Sequence, residues 1–189
     1  MRSGLLYARM DGERADSPGG LRIGVVKPVD PHLSPCVRDC CALLGSTEFV
    51  RWLGSLAAAP LRPTKQPTLF RMQRGDAIDV HDDVSDQAAN RLSAVLHLSN
   101  NWRREFGGNT VVGSVTRIEN CKSPDGYPMR RWVFSKQRSV LSPIFNSMMI
   151  LALKPGMAHG VTPIRGDVFR LTLVATYAHD EPPMNPASA

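Results

Sequence analysis

Asp76-Ala77-Ile78-Asp79-Val80-His81-Asp82-Asp83 sets the frame for this chain, because its His-x-Asp is answered downstream by His159 and, eleven residues further on, by Arg170. Two imidazoles and one carboxylate can hold one face of a divalent ion and leave the opposite positions open to exogenous ligands. His81 and Asp83 stand at i and i+2, a spacing that puts both on one face of a strand. His159 falls at the start of a turn leading into the last long strand, and antiparallel pairing could bring it beside them. Arg170 lies inside that strand, where a buried guanidinium asks for an anion. A forked, charge-assisted pair would suit a dicarboxylate. The set reads as a metal site with a cosubstrate anchor.

The surrounding sequence is strand-like. Short β-type runs at 68–73, 77–80, 91–98, 110–115, 131–134, 148–153 and 168–177 are separated by turn signals such as Gly107-Gly108 and Pro155-Gly156. In 91–98, Leu92, Ala94, Leu96 and Leu98 share one face by alternation, and Leu171, Leu173 and Ala175 do the same near the end of the chain. Upstream, a helix is expected over 35–44, and a second begins at Ser46 or Thr47, either of which can cap it. Phe49, Val50, Leu53, Leu56 and Ala57 form one apolar face that should pack on a sheet. Pro60 and Pro63 end the helical part.

Residues 1–35 carry the loop signals Asp16-Ser17-Pro18-Gly19-Gly20 and Pro28-Val29-Asp30-Pro31, leaving 21–26 as a short edge strand. The organisation expected is a lead-in with a short helix (1–45), a β-rich domain with a supporting helix (46–177) and a flexible tail rich in proline (178–189), one domain overall. Helices followed by many short strands indicate a mostly β protein, a β-sandwich or jelly roll flanked by N-terminal helices.

Composition narrows the function classes. At 189 residues and 42% hydrophobic content, the chain can build one real core. It has no apolar run of the roughly 18 residues a membrane span needs. Met1-Arg2-Ser3-Gly4-Leu5-Leu6-Tyr7 lacks the apolar core of a signal peptide, so a cytoplasmic location is expected. Cys36, Cys40 and Cys41 crowd one short segment and Cys121 stands apart, which suits reduced thiols better than disulfides or zinc. The net charge of +6 is spread over pairs such as Arg103-Arg104 and Arg130-Arg131, without a polybasic run. With only 6% aromatic residues there is little to stack bases, so nucleic acid is not an expected partner.

An ordered series of motifs carries a family resemblance. Gly75-Asp76-x-Ile78-x-x-His81-x-Asp83, then Arg91-Leu92-Ser93-x-Val95-Leu96-x-Leu98-Ser99-x-x-Trp102 and Gly107-Gly108, resembles the Fe(II)/2-oxoglutarate-dependent oxygenases of the prolyl-hydroxylase-like group. Pro143-x-Phe145-Asn146-Ser147-Met148-Met149-Ile150-Leu151, His159-Gly160-Val161-Thr162-Pro163-Ile164 and Arg170-Leu171-Thr172 are similar to the second half of that family. The likeness spans about residues 65–177. It implies a double-stranded β-helix, a cupin-like jelly roll with a metal in its mouth. His81, Asp83 and His159 would be the catalytic iron ligands, and Arg170 with Thr172 would bind the distal carboxylate of 2-oxoglutarate. The implied cofactors are Fe(II), 2-oxoglutarate and O2. Two departures stand out: Met72 occupies a position where the family often has tyrosine, and Asn109-Thr110 replaces an acidic and an apolar residue after the double glycine.

The resemblance implies hydroxylation of an unactivated C–H with release of succinate and CO2. Retention of Asp83 favours this over halogenation, while desaturation or ring formation can follow from the same chemistry. A chain that is little more than a catalytic core favours a small-molecule substrate: an amino acid, a carrier-bound amino acid or a natural-product intermediate. The alternatives are a protein prolyl hydroxylase and, in another class, a non-catalytic jelly-roll module that binds a metal or ligand. A variable loop between Thr116 and Val140 could close over either kind of substrate. His97 is expected in the core or the pocket wall, and His32 and His179 in solvent. Asp82 and Asp86 are expected to face water or to shape the entrance, and Trp102 and Trp132 to be core residues or to line the mouth. Nothing in the chain specifies an oligomeric state.

Overall fold

The computed structural model describes residues 7–12, 21–26, 34–82, 90–122 and 128–180. Two helices lead into the strands. Helix α1, Pro35–Gly45, opens on a proline, whose missing N–H is no loss in a first turn. Ser46 ends α1 and caps α2, Thr47–Ala57, by accepting the Phe49 N–H on its hydroxyl at 3.2 Å. Ala58 then turns into the left-handed region (φ 52°) ahead of Pro60 and stops the helix. Among the described residues, no helix is long and apolar enough to cross a membrane.

The strands are β1 (Tyr7–Gly12), β2 (Leu21–Val26), β3 (Leu61–Pro63), β4 (Thr68–Met72), β5 (Ala77–His81), β6 (Asn90–His97), β7 (Thr110–Lys122), β8 (Pro128–Leu141), β9 (Ser147–Ala152), β10 (Met157–Val161) and β11 (Arg170–His179). Their order is β8-β7-β10-β5-β2-β4-β11-β6-β9, with β1 on β2 and β3 on β11, and neighbours run antiparallel. The path folds into two four-stranded halves, β4-β11-β6-β9 and β8-β7-β10-β5, joined through β2. Their inner faces meet: Val95, Leu151 and Val174 from one half pack with Val112 from the other, and Met72 packs with Val161 and Ile78. This is a double-stranded β-helix, the expected jelly roll.

Alternation decides what each strand buries. Leu92, Ala94 and Leu96 on β6 and Leu173, Ala175 and Tyr177 on β11 face outward onto Leu44, Phe49 and Leu53 of the helices. Each buried leucine or phenylalanine among them contributes on the order of 1.5–3 kcal/mol. Leu56 is the exception on the expected apolar face and is 59% exposed. The other parity of β6 and β11, Val95, His97, Arg170, Thr172 and Val174, faces the space between the halves. Tyr177 ties helix to sheet by donating its buried hydroxyl to the Leu44 carbonyl at 2.7 Å. That carbonyl is one of those a helix end leaves without a partner.

Four expectations are corrected. The segment 21–26 is a strand but not an edge, since β2 lies between β4 and β5. The expected loop at 116–140 is a long antiparallel ribbon: β7 and β8 pair from Thr110↔Leu141 out to Lys122↔Pro128. On the outer part of β7 exposed residues fall on both parities, Arg117 on one and Ile118 and Asn120 on the other, so apolar alternation gives no signal there. His159 lies within β10, not at a turn. Ala178 and His179 belong to β11, paired with Arg62 and Leu61, so the tail cannot begin at 178; residues 181–189 lie outside the described set. Replacing Tyr177 by Phe should destabilise the protein by about 1–2 kcal/mol in urea unfolding, the cost of leaving a buried carbonyl without its donor.

Candidate active site

β5 and β10 build one end of the site. They pair with His159 opposite His81, and the two rings lie 4.5 Å apart between centroids. A register irregularity follows at His159/Val161, as bulges often do beside active sites. Gly160 allows the close approach, because a Cβ there would stand 2.8 Å from the Ile78 carbonyl oxygen and 3.1 Å from the Val80 nitrogen. The His81 Nδ1 lies 2.8 Å from the Asp79 carbonyl oxygen. A carbonyl can only accept, so Nδ1 carries the proton and Nε2 is left with its lone pair, as a metal ligand requires.

Arg170 forms the other end. It is 3% exposed and, among the described residues, no carboxylate pairs with it. Its Nη2 donates to the Thr110 hydroxyl at 3.2 Å and its Nη1 to the Met72 sulfur at 3.6 Å, while its Nε is buried without a partner among the described residues. Burial pushes its pKa down to about 10, so it stays charged at neutral pH. Gly108 (φ +63°) makes room for the arginine stem, since a Cβ there would stand 3.2 Å from Arg170 Cδ and 2.8 Å from Trp102 Cζ2.

Thr172 is buried two residues on, facing the same way, and pairs across the sheet with His97. His97 is 3% exposed, and its Nδ1 is likewise buried without a partner among the described residues. Burial and, second, the Arg170 charge push its pKa down from 6.5 to about 4. The imidazole is therefore neutral and can donate one hydrogen bond.

His81 and His159 are thus brought together, and Arg170 and Thr172 share a buried face, as the sequence suggested. Asp83 lies outside the described residues, as do Asp86 and His32. Among the described residues no group of three metal-ligating side chains converges, so the two histidines stand as a pair. Their geometry fits a shared ion: a metal–nitrogen bond of about 2.1 Å plus the ring radius puts two imidazole centroids at right angles about one metal roughly 4.5 Å apart. The orphaned nitrogens of Arg170 and His97 fit a carboxylate.

Thr110 and His97 are the residues that sequence reasoning undervalued. Thr110 had a signal as the first residue of the strand after the double glycine, and His97 had one in sharing parity with Val95. Asp82 is half-buried and accepts the Trp132 indole N–H, so it does not simply face water. Trp102 is structural: its indole donates to the Gly107 carbonyl at 3.1 Å and meets Phe106 edge-on. Cys36, Cys40 and Cys41 are free, and burial raises the Cys40 and Cys41 thiols away from the thiolate form that metals bind. His179 is exposed as expected. A cavity of about 310 Å³ adjoins His159, lined by Val112, Leu151, Leu153 and Met157 among others.

No protein-family model and no curated protein sequence matches the chain. Solved structures do. A 2OG-Fe(II) oxygenase family oxidoreductase from Burkholderia pseudomallei superposes with a TM-score of 0.62 at 19% identity, covering 93% of this chain and 74% of its own. A Pseudomonas putida prolyl-4-hydroxylase gives 0.55 at 16% identity, covering 87% and 74%. The non-haem α-ketoglutarate-dependent epimerase SnoN of nogalamycin biosynthesis gives 0.57 at 17% identity, covering 92% and 65%. At these identities the likeness is one of fold.

Two outcomes follow from the buried groups. Between pH 6.5 and about 4 the unfolded chain takes up a proton that folded His97 refuses, so stability falls over that window. His97→Gln should flatten this part of the acid limb, read by urea unfolding at pH 4.5, 5.5 and 7. Arg170→Met should leave ligand-free stability unchanged or raise it by about 1–2 kcal/mol, because a desolvated cation is replaced by an apolar side chain.

Proposed function

We propose that this protein is an Fe(II)- and 2-oxoglutarate-dependent dioxygenase that hydroxylates an unactivated C–H of a small molecule: an amino acid, a carrier-bound amino acid or a natural-product intermediate. The observation that carries the reading is Arg170, a buried cation with an orphaned Nε, set in the same jelly roll as the two facing imidazoles. A lone buried guanidinium is costly unless an anion meets it, and the keto acid brings one.

His81, His159 and, from the His-x-Asp motif, Asp83 would hold the iron. When bound, the metal is where O2 is reduced while 2-oxoglutarate becomes succinate and CO2 and the substrate C–H becomes C–OH. The chain's own contributions are positional. Asp79 fixes the His81 tautomer through its carbonyl. Arg170 and Thr110 would take the distal carboxylate, with Thr172 and the neutral His97 on the same inner face, and their fixed orientation presents the keto-acid end to the metal. Met72, at the tyrosine-like position, offers only a sulfur, so the Thr110 hydroxyl takes the polar role there. The apolar cavity beside His159 is at the lower end of the size range for small-ligand pockets, which supports a small substrate. The prolyl-4-hydroxylase likeness favours peptidyl proline as a second reading.

Anaerobic addition of Fe(II) and then 2-oxoglutarate should produce the weak visible charge-transfer band of a bidentate keto acid. His159→Ala should abolish it, and Arg170→Ala should need at least about 30-fold more 2-oxoglutarate, the lower end of what truncating one partner of a buried charge pair costs. Succinate release stimulated by free amino acids, and not by proline-rich peptides, supports the small-molecule reading; the reverse supports peptidyl proline. Wild type that binds metal but gives no band returns the fold to a non-catalytic binding module.

A further inference from the structure

The ribbon of β7 and β8 is solvent-facing over much of its length, yet Trp132 on β8 is only 4% exposed. Its indole N–H donates to Asp82 Oδ2 at 3.3 Å, and Asp82 is the residue immediately after His81. Register shifts at Gly113/Val115 and Val115/Arg117 mark bulges in this ribbon. Bulges bend a strand and increase its twist, and here they start within the end of β7 that pairs with β10 and stop before the stretch where Ile118 pairs with Trp132. Gly113 accommodates the bend, since a Cβ there would stand 3.1 Å from Phe134 Cδ1 and 3.2 Å from Arg138 Cβ. The bent ribbon sets an indole donor beside the carboxylate that follows the histidine.

We infer that Trp132 is a positioning residue for the metal end of the site: its hydrogen bond to Asp82 fixes the end of β5 and couples the β7–β8 ribbon to metal binding. This rests on the oxygenase reading only in taking His81 and His159 as ligands. A partner on Asp82 holds the backbone next to His81 through a side chain other than the imidazole. A buried indole needs an acceptor, and a carboxylate makes that bond charge-assisted. The bond therefore restrains the His81 backbone without occupying a ligand position. Outer partners of this kind typically change metal affinity by about 10–100-fold.

The test is Co(II) binding to the metal-free full-length protein, followed by calorimetry, with thermal unfolding in parallel. Trp132→Phe keeps the packing and removes the donor. It should weaken Co(II) binding about 10-fold while the metal-free melting temperature changes little. Asp82→Ala and Asp82→Asn remove the same charge, but only Asn retains an acceptor, so Asp82→Asn should bind Co(II) more tightly than Asp82→Ala. That difference should vanish in the Trp132→Phe background. Wild-type affinity in Trp132→Phe, or equal affinities of the two Asp82 variants beside an intact Trp132, overturns the inference. If Trp132→Phe does not fold, the Asp82 pair decides alone. Wild type that binds Co(II) no better than His159→Ala overturns the histidine assignment on which the inference stands.

Discussion

The pairing of β10 with β5 is the constraint on which the site depends. It puts His159 opposite His81, and it does so with backbones so close that position 160 tolerates only glycine without displacing the Ile78 carbonyl or the Val80 amide. A strand has a period of two, so a slip of one residue would turn His159 to the other face. Register here is fixed from both sides, because β10 also pairs with β7, with His159 opposite Val112. Two short strands of five residues each therefore place two imidazoles with a precision that neither could hold alone.

Arg170 shows a different logic. Its side chain is held by packing, with the stem against Gly108, the guanidinium against the Met72 sulfur and one good hydrogen bond to Thr110. A thioether is a weak acceptor, so the cation is oriented but not neutralised. His97 adds to this by staying neutral beside it, since a second positive charge in the same space would repel the first. The jelly roll thus keeps a buried, unneutralised cation where an apolar core would be more stable. Sites of this kind are paid for by the surrounding fold, here by the packing of α1 and α2 on the outer face of the sheet.

Much of this was legible in the sequence because the signals were periodic or chemical. Leu92, Ala94 and Leu96 announced their face, Ser46 announced a cap, and the His-x-Asp, His159 and Arg170 series announced a site through its order along the chain. What escaped had no such signature. β10 is five residues long, contains Gly160 and follows Pro155-Gly156, so its local chemistry resembles a turn. Only the backbone of β5, distant in sequence, explains why glycine stands in a strand. Thr110 looked like a departure because its partner lies sixty residues away.

The ribbon escaped for the most instructive reason. Two-stranded ribbons are marginal on their own, and one whose β7 strand is exposed on both parities cannot advertise itself through apolar alternation. Its stability has to come from where it joins the barrel, through the pairing of residues 110–114 of β7 with β10 and through Trp132 against Asp82. Whatever the ribbon meets at its outer end therefore acts through them. A barrel built from tightly registered strands can keep its ligands fixed while the ribbon varies in sequence, provided the indole and its carboxylate persist. The division separates strands whose register is fixed on both sides from a ribbon held to them at one pairing and one indole.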